Sequence, residues 1–462
     1  APRLQGPPAA RDGRRGAAPG QWSTPDFSGV ETEFNRAAAL TRPLHNELEL
    51  EHGNEGMPVG PGSDYVLKEL VELLNRSENA ETAADPAPEG AQPDPARTLK
   101  LEGIEPDIHE RQRRQVEELR QFTQRLLREA ERARDEFFWK PLASAPTNDW
   151  ASACNSMREL FWEEVIGRFP KPSIPAQPRT RLLSEQPAWT SYEVMLDVYP
   201  DVFAWGWLLV PKDLQPGERR PVVVCQHGLE GVPEDVVSED SQRPAFGAYR
   251  GYAARLAARG FVVYAPHNPY RGGDKFRVLQ RKANPLKKSL FSIIIAQHDR
   301  TLEWLSGLPF VDPARIGFYG LSYGGKTAMR VPAVLSRYCL SICSADFNEW
   351  IKKNATTDSP YSYLFTGEYE MPEFNLGNTF NYAEMAALIA PRPFMVERGH
   401  QDGVAPDEWV AHEFNRVRRC YETIGRPDKT EIEFFDGPHT INGVGTFKFL
   451  HRHLNWPEPT RK

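Results

Sequence analysis

The sequence predicts an α/β protein, a mostly parallel, doubly wound sheet with helices on both faces, preceded by an N-terminal extension that contains one long amphipathic helix. Three observations carry this reading. Six short apolar runs, Val222 to Cys225, Phe261 to Ala265, Arg315 to Tyr319, Cys339 to Cys343, Phe394 to Glu397 and Ile432 to Phe435, alternate with helix-like stretches. Continuous apolar strands joined by helices are what a sheet buried on both faces requires. Ile108 to Phe138 is dense in charge, with Val116, Leu119, Phe122, Leu126 and Leu127 at three-to-four spacing, which describes a long amphipathic helix ending before Pro141. Residues 1 to 105 are instead rich in Pro, Ala, Gly and charge, a composition that buries too little apolar surface to order itself.

Taken in order, 1–105 is an extension expected to be partly disordered. Within it Asp64 to Leu74 is a short helix by the spacing of Val66, Leu70, Leu73 and Leu74. Residues 106–185 form a helical segment expected to pack on the catalytic domain, which spans 186–462. After Pro170, Pro172, Pro175 and Pro178, Tyr192 to Val198 and Val202 to Val210 read as a hairpin turned at Tyr199-Pro200-Asp201. Phe347 to Tyr382 is crowded with aromatic residues that lack clear periodicity, and it is expected to form a cap-like insertion.

Charge and cysteine content narrow the function classes. The 56 Lys plus Arg and 63 Asp plus Glu of the 462 residues give a formal net charge of -7, which disfavours general attraction to nucleic acid or anionic membrane. No apolar run is long enough to span a bilayer. The chain starts Ala1-Pro2-Arg3, and without an initiator Met the expectation is a processed secreted or periplasmic product. Its five cysteines have neither zinc-site spacing nor a disulfide framework. Cys339 and Cys343 share one strand, roughly 13 Å apart at about 3.3 Å per residue, too far to bridge.

The candidate chemistry centres on Gly320-Leu321-Ser322-Tyr323-Gly324-Gly325, which lies between a predicted strand and a predicted helix. A strand-to-helix turn of the form Gly-x-Ser-x-Gly lifts a serine hydroxyl above the sheet, with glycines where side chains collide. A serine needs a base to become a nucleophile, and His439, in the loop after the last strand, is the candidate. The base needs an acid to set its tautomer. Asp402 is the first choice, Glu397 the second and Asp407 the third. The N–H groups of Tyr323 and Leu229 are the expected oxyanion donors, the latter in His227-Gly228-Leu229 after the strand Val222 to Cys225.

Those residues, with Gly399-His400-Gln401-Asp402-Gly403-Val404-Ala405-Pro406 and Gly437-Pro438-His439, resemble bacterial acetyl xylan esterases and dienelactone-hydrolase-like enzymes of the α/β-hydrolase fold, over roughly residues 150 to 455. The resemblance implies a serine esterase working through an acyl-enzyme, with Ser322 as nucleophile, His439 as base, Asp402 as its orienting acid, and no cofactor or metal. Its substrate is a small or carbohydrate-linked ester. Lys326 is similar to the Lys of glucuronoyl esterases, whose Cys and Arg beside the serine are here Leu321 and Tyr323. A glucuronoyl esterase or a serine peptidase of the same fold is therefore the alternative, and a non-catalytic recognition scaffold is the alternative of another class. Arg271 and Lys275, after the fourth strand, lie where they either meet acidic substrate or brace the loop, Arg271 by pairing with Asp274 or Asp299.

Overall fold

A computed structural model describes residues 27–41, 50, 67–68, 70–71, 108–144, 146–366 and 371–459. The chain divides into two units, Ala1–Arg114 and Gln115–Lys462. In the first, α1 (Phe27–Thr41) is helical, as are residues 67–68 and 70–71. The rest of the expected 64–74 helix, including Val66, Leu73 and Leu74, and the Pro-rich stretch around 84–95 lie outside the described residues. No described helix is long and apolar enough to cross a membrane.

The second unit is built on nine strands: β1 (Arg179–Glu185), β2 (Trp189–Tyr199), β3 (Val202–Pro211), β4 (Arg220–Gln226), β5 (Val262–Pro266), β6 (Val311–Leu321), β7 (Leu340–Ser344), β8 (Phe394–Gly399) and β9 (Thr430–Phe435). Their order is β1-β2-β3-β5-β4-β6-β7-β8-β9. The pairings from β5 through β4 to β9 are parallel, and β1, β2, β3 and β5 pair antiparallel. Successive residues of a strand point to opposite faces. In β4, Val222 and Val224 enter one core, while Val223 and Cys225 enter the other. Both cores are roofed by helices. The first lies under α5 (Leu290–Ser306), α6 (Tyr323–Val334), α8 (Tyr382–Ile389) and α9 (Asp407–Thr423). The second lies under α3 (Tyr252–Ala257) and α10 (Gly445–His453). The remaining helices used below are α2 (Ile108–Arg134), α4 (Asp274–Ala283) and α7 (Trp350–Ala355).

Two elements depart from expectation. β1 falls inside the stretch read as helical. It is an edge strand of largely exposed residues, held to β2 by the ladder and by the ion pairs Arg179–Asp197 at 2.6 Å and Arg181–Glu193 at 2.7 Å. Nothing in Arg179-Thr180-Arg181 alternates apolar with polar, so no period-two signal existed. α2 forms where predicted, but Val116, Leu119, Phe122 and Leu126 remain exposed. Of the predicted seam only Leu127 packs against the core.

Hydrogen bonds and buried charge dock α2 instead. Gln124 Nε2 donates to Ala355 O at 2.9 Å and Arg120 to Thr357 at 2.7 Å. At the end of α2 the Arg134 guanidinium, 1% exposed, lies 3.7 Å from Glu349 and 3.6 Å from Glu384 and donates to Gly377 O at 2.6 Å. Arg416 of α9 meets Asp135 and Glu131 at 2.6 Å and Glu384 at 3.4 Å. Glu384 also closes the N-terminus of α8, accepting from Asn381 N at 2.7 Å while the Asn381 side chain accepts from Tyr382 N. Burial, then the neighbouring Glu384 and Glu349, push the Glu413 carboxyl well above its ordinary range.

Removing one member of a buried ionic cluster leaves the others unpaired in low dielectric, a loss of about 3–5 kcal/mol. Arg134→Met is accordingly expected to lower the denaturant midpoint of unfolding sharply, measured by circular dichroism. An unchanged midpoint would show that the cluster contributes nothing.

Candidate active site

Ser322 stands between the last residue of β6 and the first of α6 with φ 60° and ψ -125°, a left-handed conformation costly to a non-glycine residue. Close packing imposes it. A Cβ on Gly320 would lie 2.1 Å from Gly324 O, and one on Gly324 would lie 2.4 Å from Gln226 O, so the chain turns where only glycine fits. Ser322 N donates to Ser344 O at 2.9 Å, and Ser322 O accepts from Lys326 N at 2.9 Å, which holds the strained turn from both sides. Ser322 is partly exposed, while Leu321 and Tyr323 on either side are buried.

The predicted base and acid meet. His439 Nδ1 lies 3.0 Å from Asp402 Oδ1. Their loops follow β9 and β8 and are tied by His400 N to Phe435 O at 2.9 Å and Gln401 N to Gly437 O at 3.0 Å. Asp402 is almost wholly buried, and His439 keeps about a third of its side chain exposed. No hydrogen bond joins Ser322 Oγ to the His439 ring among the described residues; catalytic hydrogen bonds commonly tighten only with substrate present. The other two acids are engaged elsewhere. Glu397 is fully buried inside β8 and accepts from Ser344 Oγ at 2.6 Å, Tyr319 Oη at 2.8 Å, Gly443 N at 2.8 Å and Thr446 Oγ1 at 3.2 Å. It clasps β6, β7 and α10 to β8, and burial raises its pKa. Asp407 takes Arg398 Nε at 3.0 Å and His400 Nδ1 at 2.6 Å.

Gly228 packs against Ser322, since a Cβ there would lie 3.0 Å from Ser322 Cβ. Its carbonyl is turned to His227 Nδ1 at 2.8 Å and Gly231 N at 3.2 Å. Across a trans peptide the Leu229 N–H must then point the opposite way, and among the described residues it has no hydrogen-bond partner. Tyr323 begins α6, where backbone N–H groups project beyond the helix end and carry its positive dipole.

Sequence reasoning missed what stands behind this loop. His227 donates from Nδ1 to Gly228 O, so its Nε2 accepts from Asn268 N at 3.2 Å. Asn268 reaches Thr327 of α6 and Tyr270, each at 3.2 Å, and His298 bridges Asn268 at 3.3 Å to Tyr338 at 2.7 Å. His267 stacks on His227 with 5.3 Å between ring centres. Burial is the leading cause that lowers His227 and His298 to about 3 and His267 to about 4. Their only sequence signal was a set of histidines at positions unsuited to a base.

The aromatic insertion sorts into two groups. Phe347, Trp350, Phe380 and Tyr382 are core residues, and Trp350 stacks on Tyr382 at 5.2 Å; Phe365 and Phe374 are exposed. Lys326 is buried beneath Trp350, its Nζ 4.9 Å from the ring and 3.3 Å from Met371 Sδ. Next to it Arg330 pairs with Glu373 at 2.5 Å. Lys353 of α7 joins the insertion to the acid loop, donating to Tyr361 O at 2.8 Å and to Val404 O. Arg271 is exposed and makes no ion pair among the described residues, and its expected partner Asp299 pairs with Arg337 instead. The side chains of Asp274 and Lys275 lie outside the described residues.

The buried histidines carry a pH signature. The unfolded chain binds protons near pH 6.5 while the folded chain resists them, so stability present above pH 6.5 is lost as pH falls, at about 1.4 kcal/mol per pH unit and group. The melting midpoint is expected to fall between pH 6.5 and 4, and less steeply in His298→Gln. A midpoint indifferent to pH over that window would contradict neutral burial.

No family model matches the chain. YtaP of Bacillus subtilis (strain 168), whose name assigns it as a hydrolase, is 30% identical over 213 residues, which is 45% of this chain and 69% of YtaP. An Aspergillus clavatus protein named as a dipeptidyl peptidase 4 is 24% identical over 255 residues, 53% of this chain but only 30% of that protein. Among solved structures, a glucuronoyl esterase from Solibacter usitatus aligns with TM-score 0.51 at 15% identity, covering 65% of this chain and 90% of its own. A Bacteroides fragilis NCTC 9343 protein assigned as an acetyl xylan esterase aligns with TM-score 0.50 at 16% identity, covering 63% and 77%. These structures speak for the fold. With the sheet topology described above and the match across most of YtaP, the chain belongs to the α/β-hydrolase superfamily, as a hydrolase of the YtaP family.

Proposed function

We propose that the chain is a serine carboxylic ester hydrolase that works through an acyl-enzyme, with a small or carbohydrate-linked ester as substrate. The observation that carries the reading is the His439–Asp402 pair at 3.0 Å, on loops that leave the same end of the sheet as the strained turn bearing Ser322. In this mechanism Ser322 Oγ attacks the ester carbonyl as His439 Nε2 takes its proton, and Asp402 holds the Nδ1–H tautomer and steadies the imidazolium. The N–H groups of Leu229 and Tyr323 meet the oxyanion. Collapse breaks the bond to the alcohol, which leaves with the proton from His439. Water then repeats the cycle on the acyl-enzyme, releasing the acid and restoring Ser322.

A retained but idle scaffold has no need for a strained serine or for an acid–base pair kept together, so catalysis is the better reading. Support for a carbohydrate ester comes from what the structural neighbours are named for, acetyl xylan and glucuronoyl esters. The peptidase alternative leans on the dipeptidyl peptidase relative, of whose length this chain spans 30%. Burial of Lys326 beneath Trp350 and Met371 weighs against its reaching a substrate carboxylate in this conformation.

A fluorophosphonate probe is expected to label the protein and to fail on Ser322→Ala; a folded wild type that resists labelling would favour the scaffold. Asp402→Asn is expected to lower kcat on p-nitrophenyl acetate by about 10³–10⁴-fold, by analogy with the loss of the working tautomer in other triads. Glu397→Gln should keep activity and lose stability, because its carboxylate only clasps strands, and the reverse pattern would reassign the acid. Release of acetate from acetylated xylan, compared with turnover of glucuronate methyl ester and peptide anilides, reads the substrate class. Anilides cleaved faster than every ester would make it a peptidase.

A further inference from the structure

We infer that Arg398 is a positioning residue for the acid, fixing the Asp402 carboxylate and sharing its charge with His439. The inference rests on the triad reading above. Arg398 is the last but one residue of β8 and is 3% exposed. Every nitrogen of its guanidinium is engaged on one loop. Nη1 faces Asp402 Oδ2 at 3.2 Å, Nη2 donates to Asp402 O at 2.9 Å and to Ala405 O, and Nε donates to Asp407 Oδ1 at 3.0 Å. One side chain therefore holds the backbone and the carboxylate of Asp402 together.

The two carboxylate oxygens divide the work. Oδ1 accepts from His439 Nδ1 at 3.0 Å and from Val404 N at 2.9 Å. Oδ2 is buried without a hydrogen-bond partner, and its charge is met by Arg398 alone at ion-pair distance. Turning the carboxylate out of this plane would break the Oδ1 contacts with His439 and Val404 and the Oδ2 contact with Arg398 together, so the orientation presented to His439 is held from both sides.

The arrangement has an electrostatic consequence. A carboxylate shared with a buried guanidinium stabilises the neighbouring imidazolium less than an unshared one does. Removing the guanidinium therefore leaves the whole of the carboxylate charge facing the imidazole. The other charged groups around Asp402 are Asp407 and His400, which face Arg398 and each other, Lys353 of α7 on Val404 O with Asp346 near it, and Asp436, which engages Gln401. Lys353 also acts on the Asp402 charge from a distance, and among the described residues Arg398 is the cation within 4 Å of Oδ2.

The test is the pH dependence of kcat/KM on p-nitrophenyl acetate for the full chain, with Arg398→Gln and Arg398→Lys. In Arg398→Gln the acid limb is expected to move up by about half to one pH unit, with a lower plateau. In Arg398→Lys the limb is expected to stay in place while the plateau falls, because an ammonium keeps the charge but not the planar fork. A folded Arg398→Gln protein with the wild-type limb overturns the inference. Where that variant does not fold, a limb displaced upward in Arg398→Lys does so. Failure of the triad reading looks different, with wild type unlabelled by the fluorophosphonate or Asp402→Asn fully active whatever Arg398 does.

Discussion

The site depends on one steric constraint, the crossing of β6 into α6 over the end of β4. Gly324 packs where a Cβ would strike the carbonyls of Gln226 and His227, and Gly320 packs where one would strike Gly324 itself. Because β4 and β6 are paired with Gln226 opposite Gly320, that contact fixes the ends of both strands at one level. From it follow the strained φ of Ser322 and the closeness of Gly228 to the nucleophile. The same sheet end delivers the loops of Asp402 and His439, because β8 and β9 run parallel to β6. This is the general advantage of parallel strands for catalysis: residues far apart in sequence emerge at one edge.

Buried charge is handled by a consistent rule. The fully enclosed Glu397 is given several donors, Glu373 is given the buried guanidinium of Arg330, and burial beside Glu384 and Glu349 raises the pKa of Glu413. Burial keeps the enclosed His227 and His298 neutral, and each of these rings has partners that suit one tautomer. Their joint effect is rigidity behind the His227–Leu229 loop. In the proposed mechanism, where the Leu229 N–H meets the oxyanion, such supports keep its orientation without changing charge near neutral pH.

What was legible in the sequence was what burial on two faces writes into it. β4 to β9 appeared as apolar runs, and the strand–turn–helix frame around Ser322 gave the Gly-x-Ser-x-Gly match its meaning. The pairing of His439 with Asp402 followed from chain order. β1 was illegible because an exposed edge strand needs no apolar alternation. α2 misled in a different way: its period was helical, but the face that docks does so through Gln124, Ala130 and Arg134, while Val116, Leu119 and Phe122 face outward. Amphipathic spacing states which residues share a face and is silent on whether that face meets the protein.

The roles of single charged residues were the least legible, since they are set by contacts that no local pattern encodes. Lys326, one turn into α6, drew attention through its likeness to the Lys of glucuronoyl esterases, and the helix turns it under Trp350 and Met371. Arg398 attracted no notice, although it lies four residues before Asp402 and binds that loop at three points. The difference is geometric. The first turn of α6 carries Lys326 into the packing beneath Trp350, whereas the loop after β8 folds back over the Arg398 guanidinium. Arg398, at the end of β8, is in this way placed to hold the loop that carries Asp402.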